Sequence, residues 1–356
     1  MAASTRVGFH ELTVSDVARL CADAVAVTFD VPTDLSADFA FRPGQSLTLR
    51  RRVEGRDERR SYSICAPAGA APRIGVREVP DGLFSSWLVH GLRPGDRIEV
   101  GTPTGTFTPD LHTSGHHVLI AAGSGITPVL SIVASVLRDP ASEVTLLYGN
   151  RRTDTVMFAD ELADLKDRYP ARLNLVHVLS REPREVDLFS GRLDAARLTA
   201  LFAILPPIDA VDHWWLCGPF GMVADARDVL AVAGVPAERI HRELFYVDDV
   251  PPEPVRHADA LPDGITTDVT IVLDGRSTTM ALPRDVPVLE SAQRVRPDLP
   301  FACKGGVCGT CRARLTEGEV AMRRNFALEP AELAAGFVLT CQSLPVSETL
   351  TVDYDS

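Results

Sequence analysis

The stretch Phe301-Ala-Cys-Lys-Gly-Gly-Val-Cys-Gly-Thr-Cys-Arg312, taken with Cys341, spaces four cysteines as C-x4-C-x2-C-x29-C: Cys303, Cys308, Cys311 and Cys341. This is the ligand spacing of a plant-type [2Fe–2S] cluster, in which four soft thiolates hold two irons. Three ligands come from one loop, so that loop must wrap tightly. Gly305, Gly306 and Gly309 carry no Cβ and let backbone N–H groups come close to the inorganic sulfides. Two other readings compete. A structural zinc site more often uses two short C-x2–4-C pairs, whereas here one cysteine stands far from the rest. A pair of disulfides suits a small secreted domain better than this chain. The spacing favours the cluster. A one-electron carrier at the end of the chain implies that the residues before it supply electrons.

Working outward, 356 residues are enough for two or three domains with cores of their own. A composition 45% hydrophobic and 24% charged is that of an ordinary globular chain. The net charge of −12 argues against nucleic acid or an anionic membrane as a partner. The N-terminal residues from Met1 to His10 contain no apolar signal-peptide core. The longest apolar run, Val118 to Val136, is broken by Gly123, Ser124, Gly125 and Pro128, so no membrane span is expected. Seven cysteines without a secretion signal point to a reducing compartment, hence the cytoplasm.

Residues 1–112 read as β-rich. Val25-Ala-Val-Thr-Phe-Asp-Val, Ser46-Leu-Thr-Leu-Arg and Arg97-Ile-Glu-Val alternate, and Arg42-Pro-Gly, Val79-Pro-Asp-Gly and Arg93-Pro-Gly-Asp mark turns. The pattern suggests a small antiparallel β-barrel. From 113 to 247 the texture changes to buried parallel strands at His117–Ala122, Val144–Tyr148, Leu173–Leu179 and Trp214–Cys217, with amphipathic segments such as Met157–Tyr169 and Met222–Ala233 between them. That alternation predicts a doubly wound α/β domain. Residues 248–265, Pro-rich and acidic, read as a linker. Residues 266–356 open on a hairpin about Asp274-Gly275, followed by a short helix over Val288–Val295 and the cysteine loop, an α+β pattern.

Gly123-x-Gly125-x-x-Pro128, with Thr127 inside it, lies between a predicted strand and a predicted helix, where backbone N–H groups favour a pyrophosphate. A lone G-x-G is weak evidence, since a tight turn needs the same residues. Proline in place of a third glycine is the form found in the ferredoxin–NADP reductase superfamily, and other motifs strengthen that resemblance. Arg60-Ser-Tyr62-Ser63 resembles the flavin motif R-x-Y-S. The resemblance implies that Arg60 pairs with the flavin phosphate, Tyr62 stacks on the isoalloxazine and Ser63 bonds near its N5. Gly82-Leu83-Phe84-Ser85 resembles the G-x-x-S that opens a helix under the same phosphates. Cys217-Gly218-Pro219 with Met222 resembles the C-G-P-x-x-M turn at the nicotinamide. Glu243-Leu-Phe245 resembles the end of the reductase unit, whose terminal aromatic covers the flavin. Ser180 and Arg181, with Arg151, stand where NADP-preferring relatives hold the 2′-phosphate. No acidic residue ends the second strand, which disfavours NAD. Taken singly, Tyr62 could be a core aromatic, Cys217 a small buried hydrophobe and Arg181 a surface charge. Their shared order decides against that.

The order flavin, nicotinamide, ferredoxin is similar to that of reductase components of multicomponent oxygenases. The run Gly318-Glu-Val-Ala-Met-Arg-Arg-Asn325 and Gly336-Phe-Val-Leu-Thr-Cys341-Gln-Ser resembles more narrowly the reductase-subunit family of phenylacetyl-CoA 1,2-epoxidases. It implies a β-grasp ferredoxin domain, FAD and NADPH as cofactors, and the di-iron oxygenase subunits of a multicomponent complex as partner in phenylacetate catabolism. No one residue separates FAD from FMN. Ser63, Glu243 and Phe245 are the residues expected at the reacting flavin, and no general acid or catalytic triad is apparent. The alternatives are a reductase for another oxygenase and, from a different class, a non-enzymatic iron–sulfur redox sensor.

Overall fold

Alternating side chains at the start of the chain pair into an antiparallel sheet. Its strands are β1 (Phe9–Cys21), β2 (Ala24–Asp30), β3 (Ser46–Val53), β4 (Arg56–Ser63), β5 (Arg73–Arg77) and β6 (Arg97–Gly101), in the order β4-β3-β6-β1-β2-β5. A bridge from Ile64 to Ile74 brings the end of β4 to β5, so the two edges meet as in a barrel. Leu12, Val27, Phe29, Leu47, Leu49 and Val76 fill its interior. A short helix, α1 (Ser85–His90), follows β5 and buries Leu88 and Val89. The long first strand was not foreseen from the sequence, because its charged residues interrupt the alternation.

Next come β7 (His116–Ala122), β8 (Glu143–Asn150), β9 (Leu173–Leu179), β10 (His213–Pro219) and β11 (Ile240–Tyr246), with helices α2 (Ile126–Val136), α3 (Ala159–Arg168), α4 (Ala195–Phe202) and α5 (Phe220–Val232). The strands are parallel, in the order β11-β10-β7-β8-β9. This is the doubly wound arrangement, with its topological switch between β7 and β10. Residues 118–121 are fully buried, as their unbroken apolar character requires.

The computed structural model describes residues 8–53, 56–80, 82, 84–205, 207–246, 264–301, 303–328 and 330–356. The chain forms two compact units, residues 7–248 and 249–356. Within the first, barrel and α/β sheet share a core: Ala24, Ala26, Cys65 and Phe107 pack with Val129, Leu130 and Trp215. Ser131 on α2 donates to the Ala66 carbonyl at 2.6 Å, and Arg73 on β5 forms a forked ion pair with Glu161 on α3 at 2.6 and 3.0 Å. The expected boundary at 112/113 therefore falls inside one packed body. The expected linker, 248–265, lies outside the described residues except for Gly264 and Ile265.

The C-terminal unit has β12 (Thr266–Leu273), β13 (Arg276–Pro283), α6 (Val288–Ala292), β14 (Arg312–Glu317), β15 (Val320–Met322), α7 (Pro330–Ala334), β16 (Phe337–Leu339), β17 (Ser343–Pro345) and β18 (Thr349–Asp353). The main sheet runs β13-β12-β18-β14-β16, with β12 and β18 parallel, and β15 pairs with β17. Asp274 (φ 56°) and Gly275 (φ 67°) make the left-handed turn that the Asp-Gly pair favours. Val288 and Leu289 of α6 pack on Val269, Ile271, Leu350 and Val352. Among the described residues, no helix is long and apolar enough to cross a membrane.

Candidate functional site

Three residues singled out in separate motifs converge on one oxygen. Ser63, at the end of β4, donates its hydroxyl to Glu243 Oε2 at 3.2 Å, and the Cys217 thiol donates to the same atom at 3.9 Å. Strand pairing sets this up, because Cys217 of β10 lies opposite Glu243 of β11. Burial pushes the Glu243 carboxyl up to about 7, against the pull of the bonds from Ser63 and Cys217. Burial, and then the Glu243 charge, raises the Cys217 thiol well above its usual range, so it stays a thiol. Phe245 lies two residues along β11, where the pairing with β10 shifts register, and is half-buried against the core that includes Cys217.

Tyr62, next to Ser63, keeps part of its ring exposed and approaches the buried Phe84 at 6.3 Å between centroids. Arg60 donates to Glu58 Oε2 at 3.2 Å and to the Arg59 carbonyl at 2.6 Å, with its guanidinium partly in solvent. Ser85 opens α1, and its hydroxyl accepts from the Val79 N–H at 3.0 Å. Gly82 has to lack a side chain, since a Cβ there would lie 2.4 Å from Ser85 Oγ. Leu83 lies outside the described residues. A part-open aromatic ring, an adjacent guanidinium and a glycine-lined turn fit a flavin phosphate and ring.

At the switch point, Gly123 has φ 55°, which its lack of a side chain permits. Gly125 is glycine for a different reason: a Cβ would lie 2.2 Å from the Cys217 carbonyl oxygen. The approach of β10 by itself demands this residue. Thr127 and Pro128 are buried in the first turn of α2, where the Thr127 hydroxyl donates to the Ser124 carbonyl at 3.0 Å. Gly218 and Pro219 follow Cys217 into α5, and Met222 packs under them, its methyl carbon 2.8 Å from where a Gly218 Cβ would stand. Two further residues at this loop were missed. Tyr148 donates its hydroxyl to the Gly123 carbonyl at 3.0 Å, and Arg77 of β5 reaches across to donate to the Thr155 carbonyl. Neither belongs to a recognisable motif.

At the ends of β8 and β9, the Arg181 N–H donates to the Arg151 carbonyl at 2.8 Å and the Ser180 N–H to the Asn150 carbonyl at 2.9 Å. Both arginine side chains are exposed. The two loops are also tied by Glu182, which accepts from the Thr153 N–H and hydroxyl at 2.8 Å each. The structure thus brings Arg151, Ser180 and Arg181 together, apart from the Ser63–Glu243 contact in sequence and in strand.

In the C-terminal unit the four cysteines are free thiols, with Cys303 next to Cys308 and Cys311 next to Cys341. Two thiolate pairs are what two irons need. The Gly305 and Cys308 N–H groups point at Cys303 Sγ from 3.3 and 3.4 Å. The thiol bond from Cys308 and these amides hold Cys303 down to about 6. Gln342, also missed, donates to Cys341 Sγ at 3.7 Å and to the Lys304 carbonyl at 2.8 Å, bracing the loop. These donors suit a thiolate-bound cluster.

Three family models match in the order expected: the oxidoreductase FAD-binding domain over residues 11–108, the oxidoreductase NAD-binding domain over 119–228, and the 2Fe-2S iron-sulfur cluster binding domain over 271–346. The chain is 42% identical over 353 residues to one subunit of the 1,2-phenylacetyl-CoA epoxidase of Escherichia coli (strain K12), covering 98% of both chains. The chain belongs to this family of fused flavin, nicotinamide and [2Fe–2S] reductases. It is also 35% identical to the ferredoxin reductase component of a 3-ketosteroid-9-alpha-monooxygenase of Rhodococcus rhodochrous, over 96% of each chain. The fold matches that of phthalate dioxygenase reductase with a TM-score of 0.63, at 23% identity over 97% of this chain and 98% of that one. The chain is an oxidoreductase with FAD-binding, NAD-binding and [2Fe–2S] domains.

Proposed function

We propose that this reductase carries electrons from NADPH, by way of FAD and a [2Fe–2S] cluster, to the di-iron oxygenase of phenylacetyl-CoA epoxidation. The observation that carries the reductase reading is the meeting of Ser63, Cys217 and Glu243 at one carboxylate oxygen. The 42% identity over nearly the whole chain supports the choice of partner. Seven free thiols support the cytoplasm as its compartment.

In this reading Arg60, Gly82, Leu83, Phe84 and Ser85 would hold the flavin phosphates, and Tyr62 would support the isoalloxazine. Gly123, Gly125, Thr127 and Pro128 shape the loop over which the dinucleotide lies, while Arg151, Ser180 and Arg181 would bind the 2′-phosphate. Cys217, Gly218, Pro219 and Met222 shape the nicotinamide turn, and Phe245 would shield the flavin from water. Ser63 and Glu243 fix hydrogen-bonding groups beside the reacting ring. Bound FAD and the cluster supply the redox chemistry itself, linking a two-electron donor to a one-electron carrier. Cys303, Cys308, Cys311 and Cys341 would hold the two irons.

The test combines the purified protein with the oxygenase subunits, phenylacetyl-CoA, NADPH and oxygen. Formation of the epoxide supports the proposal. Reduction of a dye acceptor by NADPH without epoxide would point to another oxygenase, the reading that the 35% identity to a ketosteroid monooxygenase component favours. Absence of dye reduction would overturn the reductase reading altogether.

A further inference from the structure

The chain carries a net charge of −12, yet its cysteine loop is surrounded by cations. Lys304 lies inside the loop, its ammonium 4.5 Å from the centre of the Phe301 ring. Arg312 follows Cys311 directly and lies 4.3 Å from the centre of the Phe337 ring. Such stacking limits the rotamers of both side chains and holds their charges in place. The Arg323-Arg324 segment is bound to the same loop: the Phe326 N–H donates to the Gly306 carbonyl at 3.1 Å, and the Arg323 N–H to the Gln342 carbonyl at 2.9 Å. Glu332 offsets part of this charge by pairing with Arg312.

Two carboxylates of the same unit are engaged in bonds of their own. Glu317 is held by the Thr349 and Thr351 hydroxyls, and Asp355 caps the Asp274–Gly275 turn. Cys308 is the exposed member of the four ligands, so a partner that takes an electron here must cover the residues around it. At ordinary ionic strength the Debye length is about 10 Å, so a partner at this face feels the charges nearest the loop most strongly.

We propose that the face around Cys308, framed by Lys304, Arg312, Arg323 and Arg324, docks an acidic patch on the electron-accepting protein. This rests on the reading of the cluster as the electron exit. Electron-transfer interfaces are small and transient, so a few charges steer the encounter and set its orientation. The overall negative charge repels an acidic partner except where this face is presented.

The probe is hexacyanochromate(III), a redox-inert paramagnetic trianion, compared with the hexaamminechromium(III) trication on the oxidised holoprotein. The readout is broadening of arginine side-chain NMR signals relative to the probe-free spectrum. The trianion is expected to broaden Arg312, Arg323 and Arg324 more than Arg276 and Arg294, with the effect fading as salt rises from about 20 to about 200 mM. Arg323→Glu should weaken the broadening at Arg324 while the cluster absorbance is unchanged, and Arg323→Lys should retain it. Uniform broadening, or stronger broadening of these residues by the trication, would overturn the docking face. NADPH reduction of the cluster is followed on the same sample. A cluster left oxidised would sink the electron-exit reading and the docking role with it; a reduced cluster with uniform broadening would sink the docking face alone.

Discussion

Ser63 on β4 donates its hydroxyl hydrogen to the Glu243 carboxylate on β11 at 3.2 Å, joining the barrel to the nucleotide sheet through a polar contact in a largely apolar seam. The two residues are 180 positions apart, so only the packed first unit brings them together. If they order the groups beside the reacting flavin, Ser63→Ala should slow flavin reduction by NADPH about tenfold to a hundredfold, or about 1.4 to 2.7 kcal/mol, with little change in KM. Stopped-flow absorbance measures this. An unchanged rate would remove Ser63 from the site.

Glu243 also predicts a pH dependence. Its carboxyl sits at about 7 in the folded protein against an ordinary 4.5, because burial disfavours the charge. Between these values the folded state holds a proton that the unfolded state has released. The contribution of Glu243 is therefore fully present below about 4.5 and is lost as pH rises through 7. His117 and His241, held down to about 4 by burial, act in the opposite sense: their contribution is present above 6.5 and is lost as pH falls. The difference between wild type and Glu243→Gln isolates the carboxyl. In chemical denaturation, the stability of wild type relative to the variant should fall between pH 4.5 and 7. A constant difference would contradict the burial argument.

The paired loops after β8 and β9 predict cofactor preference. Arg181→Ala should raise KM for NADPH by about tenfold to a hundredfold, the range of a lost charged hydrogen bond, and leave KM for NADH nearly unchanged. Initial rates with both cofactors decide it, and equal effects on the two would exclude a 2′-phosphate role. Glu182→Gln should give a smaller effect of the same kind, because it loosens the tie to Thr153.

Gly125 predicts a stability change. In Gly125→Ala the new methyl would meet the Cys217 carbonyl oxygen at 2.2 Å, so the loop or β10 has to shift. The expected loss is about 1–3 kcal/mol, read from the denaturant midpoint. The rate of flavin reduction should fall too, since Cys217 and its strand partner Glu243 would move together.

The parallel strands were legible because burial on both faces leaves a continuous apolar run, as in Val118–Ala121. The hairpin at Asp274-Gly275 was legible because few other residues accept two successive left-handed conformations. Helix α4 and strand β11 were not foreseen as elements: Ala195–Phe202 is only two turns long, and Ile240–Tyr246 mixes charge with apolar residues. At the site, short motifs located Ser63, Cys217 and Glu243 individually, but their common oxygen comes from strand order and from the packing of the barrel. Arg77, Tyr148 and Gln342 stayed hidden because each acts through a backbone carbonyl or a sulfur atom, and such contacts have no sequence pattern. The motif gave no sign that Gly125 also faces protein backbone, which only the packing of β10 shows.

The central claim is that electrons from a nicotinamide reach the four-cysteine site. Its most direct test is an anaerobic titration of the FAD- and cluster-loaded protein with NADPH, followed by visible absorbance and electron paramagnetic resonance. The expected result is bleaching of the cluster bands along with the flavin, and a rhombic signal from the reduced cluster, both absent in Cys308→Ser. Bleaching of the flavin with the cluster left oxidised and no such signal would contradict it.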